Sequence, residues 1–135
     1  MNKILSFIIN KNNNKLLLLK GSDKDPQFHK SFWYVVTGGC EEEDNSFFDT
    51  IKREVLEETN LEVKNIIDLE WVFEYESLGN HCIERAYISF VDSDKVVLNE
   101  ESIDFSWCNL DEFIDKIHWF GDKEELREKL SKYIK

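Results

Sequence analysis

Between Ser46 and Asn60 the chain carries the run Arg53-Glu54-Val55-Leu56-Glu57-Glu58, which spaces three glutamates at i, i+3 and i+4. On a helix that spacing gathers all three on one face. The helix itself is well marked. Ser46 is a good N-cap, Asp49 falls in the first turn, and Phe48, Ile51 and Val55 recur at helical intervals, so the pattern predicts a helix over 47–59. Asn60 stands where a left-handed residue must end it, and asparagine tolerates that conformation better than most residues. Like charges so placed weaken an isolated helix by roughly a few tenths of a kcal/mol per pair. A cation over the face would reverse that penalty, and an all-oxygen donor set suits a hard ion such as Mg2+ or Mn2+. Phe48, Ile51 and Val55 lie roughly 100° round the helix from the carboxylates, so one face packs while another coordinates. Without further context, an E-x-x-E-E pattern reads more often as a solvated charged face.

The net charge of -11 argues in the same direction. A surface this acidic does not bind nucleic acid or anionic lipid by releasing counterions, and an anionic substrate would need a cation to mediate. The 135 residues fit one domain spanning 1–135, with enough apolar content to bury a core. Cys40, Cys82 and Cys108 are widely spaced, odd in number and without a C-x-x-C pair, and no secretory signal precedes them; a reduced, cytoplasmic protein is expected. The longest apolar runs, such as Leu16 to Leu19, fall far below the roughly 20 residues that cross a bilayer, so no membrane span is expected.

Around the helix the pattern alternates strands and turns, an α/β fold. Ile4 to Ile9 and Leu16 to Leu19 flank an asparagine-rich turn and predict a hairpin. The polar stretch from Lys20 to Ser31 reads as a loop, followed by an aromatic strand from Phe32 to Val36 that Thr37, Gly38 and Gly39 end. Val63 to Tyr75 and Cys82 to Val91 predict paired strands about a Gly79-Asn80 turn, with shorter strands at Val96 to Leu98 and Phe105 to Cys108. Helical spacing returns over Leu110 to Ile117 and Asp122 to Ile134, with Leu126, Leu130, Tyr133 and Ile134 on one face.

The segment from Gly39 to Leu61 resembles the signature of the Nudix (MutT-like) hydrolases, G-x5-E-x7-R-E-U-x-E-E-x-G-U, where U is aliphatic. Gly39, Arg53-Glu54-Val55, Glu57-Glu58 and Leu61 match at the correct spacings, and Gly38-Gly39 supplies a double glycine. Two positions depart: Asn45 stands for the leading glutamate, in a loop crowded by Glu41, Glu42, Glu43 and Asp44, and Asn60 stands for the late glycine. The resemblance implies a Nudix α/β/α sandwich with a mixed central sheet. It also implies hydrolysis of the diphosphate linkage of a nucleoside triphosphate or related nucleoside-diphosphate-linked compound, by water attacking phosphorus. Glu54, Glu57 and Glu58 would then bind metal, with the Gly38 carbonyl adding a ligand and Arg53 orienting a glutamate. A further acidic ligand or base comes from a loop ahead of a late tryptophan strand, where Glu101 is the first choice and Glu100 the second. Lys20 and Arg85 are placed to meet substrate phosphate, and Trp33 to stack on a base. The segment Phe32 to Gly39 resembles the subgroup acting on dihydroneopterin triphosphate or deoxynucleoside triphosphates. The family also makes a homodimer one of the available assemblies.

Two other readings stay open beside the hydrolase. One is a catalytically weak Nudix-fold nucleotide-binding or sensor module, motivated by Asn45; the other is an isomerase on the same fold, for which no cysteine–glutamate pair is evident. Trp71, Trp107 and Trp119 read as packing residues, and His29, His81 and His118 have no ligand spacing.

Overall fold

A computed structural model describes residues 1–21 and 31–134. Its strands and helices run in the order β1 (Asn2–Asn10), β2 (Lys15–Gly21), β3 (Trp33–Tyr34), β4 (Val36–Gly39), α1 (Phe47–Thr59), β5 (Asn65–Ser77), β6 (Asn80–Val91), β7 (Ser102–Cys108), α2 (Leu110–Lys116) and α3 (Lys123–Ser131). The strands form one mixed sheet in the order β3-β2-β1-β6-β5, with β4 attached to β1 and β7 to β2.

β1 is the axis of this sheet. It is parallel to β6 from Asn2↔Ile83 to Asn10↔Val91, and it is buried from Ile4 to Asn10 because both its faces are covered. Ile4 and Ile8 pack with Ile51 and Val55 of α1. Leu5, Phe7 and Ile9 pack with Phe113, Ile114, Leu126 and Leu130 of α2 and α3. The result is the predicted α/β/α layering.

The asparagine turn forms as expected, and its side chains account for its backbone. Asn10 Oδ1 accepts the N–H of Asn12 at 3.0 Å, Asn13 Oδ1 accepts that of Lys15 at 3.1 Å, and Asn14 sits at φ 58°. β2 then pairs with β1 only through Ile9↔Leu16 and Asn10↔Lys15. Its departure frees the first half of β1 for β4, which pairs from Lys3↔Gly39 to Ser6↔Val36.

Several expectations need correction. The aromatic strand divides into β3 on β2 and β4 on β1; Thr37 and Gly38 are paired within β4, which ends at Gly39. Val96 to Leu98 is not a strand: the Val97 N–H bonds Thr59 O at 2.9 Å, so this backbone satisfies the end of α1 and not a sheet. Phe48 is 46% exposed and meets Tyr87 edge-on at 6.0 Å, at the rim of the α1 packing face. The last helix stops at Ser131, with Tyr133 and Ile134 packed against the core beyond it. The loop expected between Lys20 and Ser31 falls at 22–30, outside the described residues.

Candidate metal and phosphate site

α1 is capped as its sequence predicts. Ser46 Oγ accepts the Asp49 N–H at 3.2 Å, and Asp49 Oδ2 reaches back to the N–H of Asn45 at 3.1 Å. At the other end Asn60 adopts φ 60°, ψ 19° and its N–H bonds Leu56 O at 2.9 Å. Thr50, Ile51, Val55, Glu58 and Thr59 are buried along the helix, so the inward face carries one carboxylate with it.

Arg53 is the hub of the site. It forks onto Asp44, donating from Nε to Oδ1 at 3.1 Å and from Nη2 to Oδ2 at 2.9 Å. It also donates from Nη2 to Gly39 O at 3.0 Å and from Nη1 to Glu54 Oε1 at 2.8 Å, with Glu57 Oε2 at 3.4 Å. One planar guanidinium thus ties the glycine strand, the acidic loop and the carboxylate face together, which its five donors in a fixed fork permit. The bond from Arg53, then those from the Glu41 backbone and Thr50, hold the Asp44 carboxyl well below the usual carboxylate range. Asp44 is the residue that the sequence reading left unassigned.

Glu54 is seated against Gly38. A Cβ at position 38 would lie 2.2 Å from Glu54 Cδ, far inside contact distance, so only glycine leaves room for this carboxylate. Burial raises the Glu54 pKa, opposed by hydrogen bonds from Glu58 and Arg53. Glu58 is 8% exposed, and its Oε2 has no hydrogen-bond partner among the described residues. Burial first, then the hydrogen bond with Glu54 and the charge of Glu101, push its carboxyl up to about 10. A buried and a half-buried carboxyl side by side, one with an oxygen unmatched among the described residues, form an arrangement that a cation would relieve. The donor set fits Mg2+ or Mn2+ on that observation. Among the described residues no three acidic, histidine or cysteine side chains already converge as a cage, since Glu54 and Glu57 lean on Arg53.

The remaining candidates divide between two sides of the sheet. Glu101 lies close enough for its charge to act on Glu58, and it is held by Asn99, whose Nδ2 donates to Glu101 Oε2 at 3.2 Å. Arg85 stands opposite Ile4 on β6 while Gly38 stands opposite Ile4 on β4, so the two flank β1 in one row. Its guanidinium lies 4.8 Å from the Phe47 ring centroid, and Nη1 is buried without a partner among the described residues. Lys20 and Trp33 are not brought to the glutamates. Trp33 packs against the α2/α3 core, with the Lys20 and Lys116 ammonium groups 6.0 and 5.2 Å from its ring centroid.

The sequence profile of the family described as NUDIX domain matches residues 3–129. The chain belongs to the Nudix hydrolase family. Solved structures agree on the Nudix fold. The MutT protein of Methanosarcina mazei Go1 superposes with a TM-score of 0.70 at 21% identity, over 98% of this chain and 91% of that one. The E. coli dihydroneopterin triphosphate pyrophosphohydrolase gives 0.70 at 20%, over 98% and 94%. The Nudix domain of Shewanella oneidensis NrtR, solved with ADP ribose, gives 0.73 at 17%, over 98% and 86%. No curated protein matches the sequence. Nudix hydrolases generally use divalent metals. No helix among the described residues is long and apolar enough to cross a membrane.

Proposed function

We propose that this Nudix hydrolase cleaves the diphosphate linkage of a nucleoside triphosphate, or a related nucleoside-diphosphate-linked compound, with the help of Mg2+ or Mn2+. The observation that carries the reading is the buried Glu58 Oε2 left unmatched beside Glu54, which is itself seated on Gly38. Glu54, Glu57 and Glu58, with the Gly38 carbonyl, would hold the cation. When bound, it would offset phosphate charge and acidify a water.

The side chains of this chain do the rest. Arg53 fixes Glu54 through the 2.8 Å bond and is itself fixed by Asp44. In this reading Glu101 takes the proton from the attacking water; its exposure, its charge acting on Glu58 and its lack of a bond to Arg53 among the described residues support that role. Nη1 of Arg85, on the α1 side of the sheet and without a partner among the described residues, offers a donor to a substrate phosphate oxygen. The sensor alternative rested on Asn45; the fork of Arg53 onto Asp44 supplies an anion one residue earlier and weakens its motive.

The test is hydrolysis of a panel of nucleoside triphosphates, nucleotide sugars, dinucleotides and dihydroneopterin triphosphate with Mg2+ or Mn2+, beside a Glu57→Gln, Glu58→Gln variant. Turnover of one class that vanishes in the variant supports the proposal and names the substrate. No turnover by a protein that still binds metal supports the sensor.

A further inference from the structure

On the face of the sheet away from α1 lies a cavity of about 400 Å³, within the roughly 300–1,000 Å³ of small-molecule sites. Its walls are aromatic, with Tyr34, Tyr75, His118 and Phe120 among them, and Lys3 and Glu84 bring charge to its floor. Glu84 is only 4% exposed and sits on β6 directly beside Lys3 of β1. Burying a glutamate is costly unless it is paired and hydrogen-bonded. Among the described residues its hydrogen bond is long, from the Tyr75 hydroxyl at 3.4 Å, which leaves most of the acceptor capacity of a carboxylate to a ligand.

The cavity and the glutamate site share β4. Thr37 lines the cavity, and its neighbour Gly38 backs Glu54 on the opposite face. Adjacent Cα atoms are only about 3.8 Å apart, so a ligand crossing the edge of β4 reaches both. We infer that this cavity holds the heterocycle of the substrate, and that Glu84 and Lys3 select a ring with a carbonyl, a ring N–H and an amino group along one edge, as in guanine or a pterin. The two adjacent donors match the two oxygens of Glu84, and the carbonyl matches the Lys3 ammonium. Adenine and cytosine present a ring acceptor beside the amino group, and uracil flanks its single N–H with two carbonyls. Each would set a lone pair against the carboxylate. This inference rests on the reading of the chain as a nucleoside-polyphosphate hydrolase, but its test does not.

Isothermal titration calorimetry in EDTA, with GMP, neopterin, AMP and UMP as probes, reads the cavity apart from the metal site. GMP, neopterin or both should bind at least about tenfold tighter than AMP and UMP, the discrimination of one bidentate pair. Which of the two binds separates a purine from a pterin source. Glu84→Gln should abolish the preference while the Glu57→Gln, Glu58→Gln variant keeps it and loses hydrolysis. Lys3→Met, which removes only the carbonyl donor, should weaken the preferred ligand if Glu84→Gln does not fold by circular dichroism. Equal affinity for AMP and GMP, no binding of any probe, or a preference that survives Glu84→Gln overturns the assignment. Hydrolysis without base preference would refute the cavity and leave the hydrolase standing; preference without hydrolysis would do the reverse.

Discussion

Gly38→Ala isolates the seat of Glu54. The added Cβ would stand 2.2 Å from Glu54 Cδ and 2.5 Å from Oε1. Carbon–carbon contact needs about 3.5–4.0 Å, so one of the two must yield by about 1.5 Å. Gly38 is locked in register opposite Ile4, whereas the Glu54 carboxylate is the end of a rotatable side chain, and it is the part that moves. A shift of that size breaks its 2.8 Å bond to Arg53 Nη1. In this partly exposed network the loss costs about 1 kcal/mol, and alanine returns part of that by restricting the unfolded chain. Net stability should therefore fall by no more than about 1 kcal/mol, or about 5 °C in Tm. Displacing the carboxylate from the metal set should weaken Mn2+ binding by at least about 10–100-fold, with a matching loss of kcat/KM. Thermal melts, Mn2+ titration and a hydrolysis assay on the same preparations separate the two effects. Gly39→Ala is the matched control, because a Cβ there meets nothing within 4 Å. A well-folded Gly38→Ala protein with unaltered Mn2+ affinity would refute the seat.

Other positions give independent tests. Asp44→Asn removes the anion on which Arg53 is forked, so kcat should drop about 10–100-fold and the melting temperature should fall as well, because the bonds that hold this carboxyl ionised stabilise the folded chain; an unaltered kcat would mean that Arg53 holds Glu54 unaided. Asn45→Glu restores the motif residue but adds a charge where Arg53 is already paired, so kcat/KM should change by less than about threefold in a steady-state assay. Asn60→Ala should cost about 1 kcal/mol in urea unfolding, because φ 60° disfavours a β-carbon, while Asn60→Gly should stay within about 0.5 kcal/mol. Leu78 is 80% exposed at φ 50° in the β5–β6 turn, so Leu78→Asn should gain about 0.5 kcal/mol in the same assay.

What the sequence made legible was local. The helix limits at Phe47 and Thr59, the Ser46 cap and the left-handed Asn60 all follow from residues within a turn or two of one another, and the structure places them there. The strand boundaries that failed depended on distant partners. Nothing near Tyr34 and Val36 says that β2 leaves β1 after two residue pairs, and that departure is what divides the aromatic strand and draws both glycines into β4. The same limit applies to Lys20 and Trp33: the sequence assigns them to phosphate and base, but their side chains are drawn to the α2 side, where Lys116 also reaches Trp33. Glu84 did leave a signal, the one acid in the strand pattern from Cys82 to Val91, but its meaning required Lys3 from the parallel neighbour.

Asp44 shows why a motif counted along the chain can mislead at one position. The signature asks for an anion at residue 45, but Arg53 requires one in space. The turn from Glu41 to Asp44 closes on itself, with the Asp44 N–H bonded to Glu41 O at 3.0 Å and the Glu41 N–H to Asp44 Oδ2 at 2.9 Å. Thr50 Oγ1 adds a third bond to the same oxygen at 2.9 Å, from the first turns of α1. These contacts fix the carboxylate under the guanidinium before position 45 is reached, and Asn45 gives its backbone N–H to Asp49. The charge missing at position 45 stands one residue earlier, at Asp44, and the acidic run ahead of α1 supplies it.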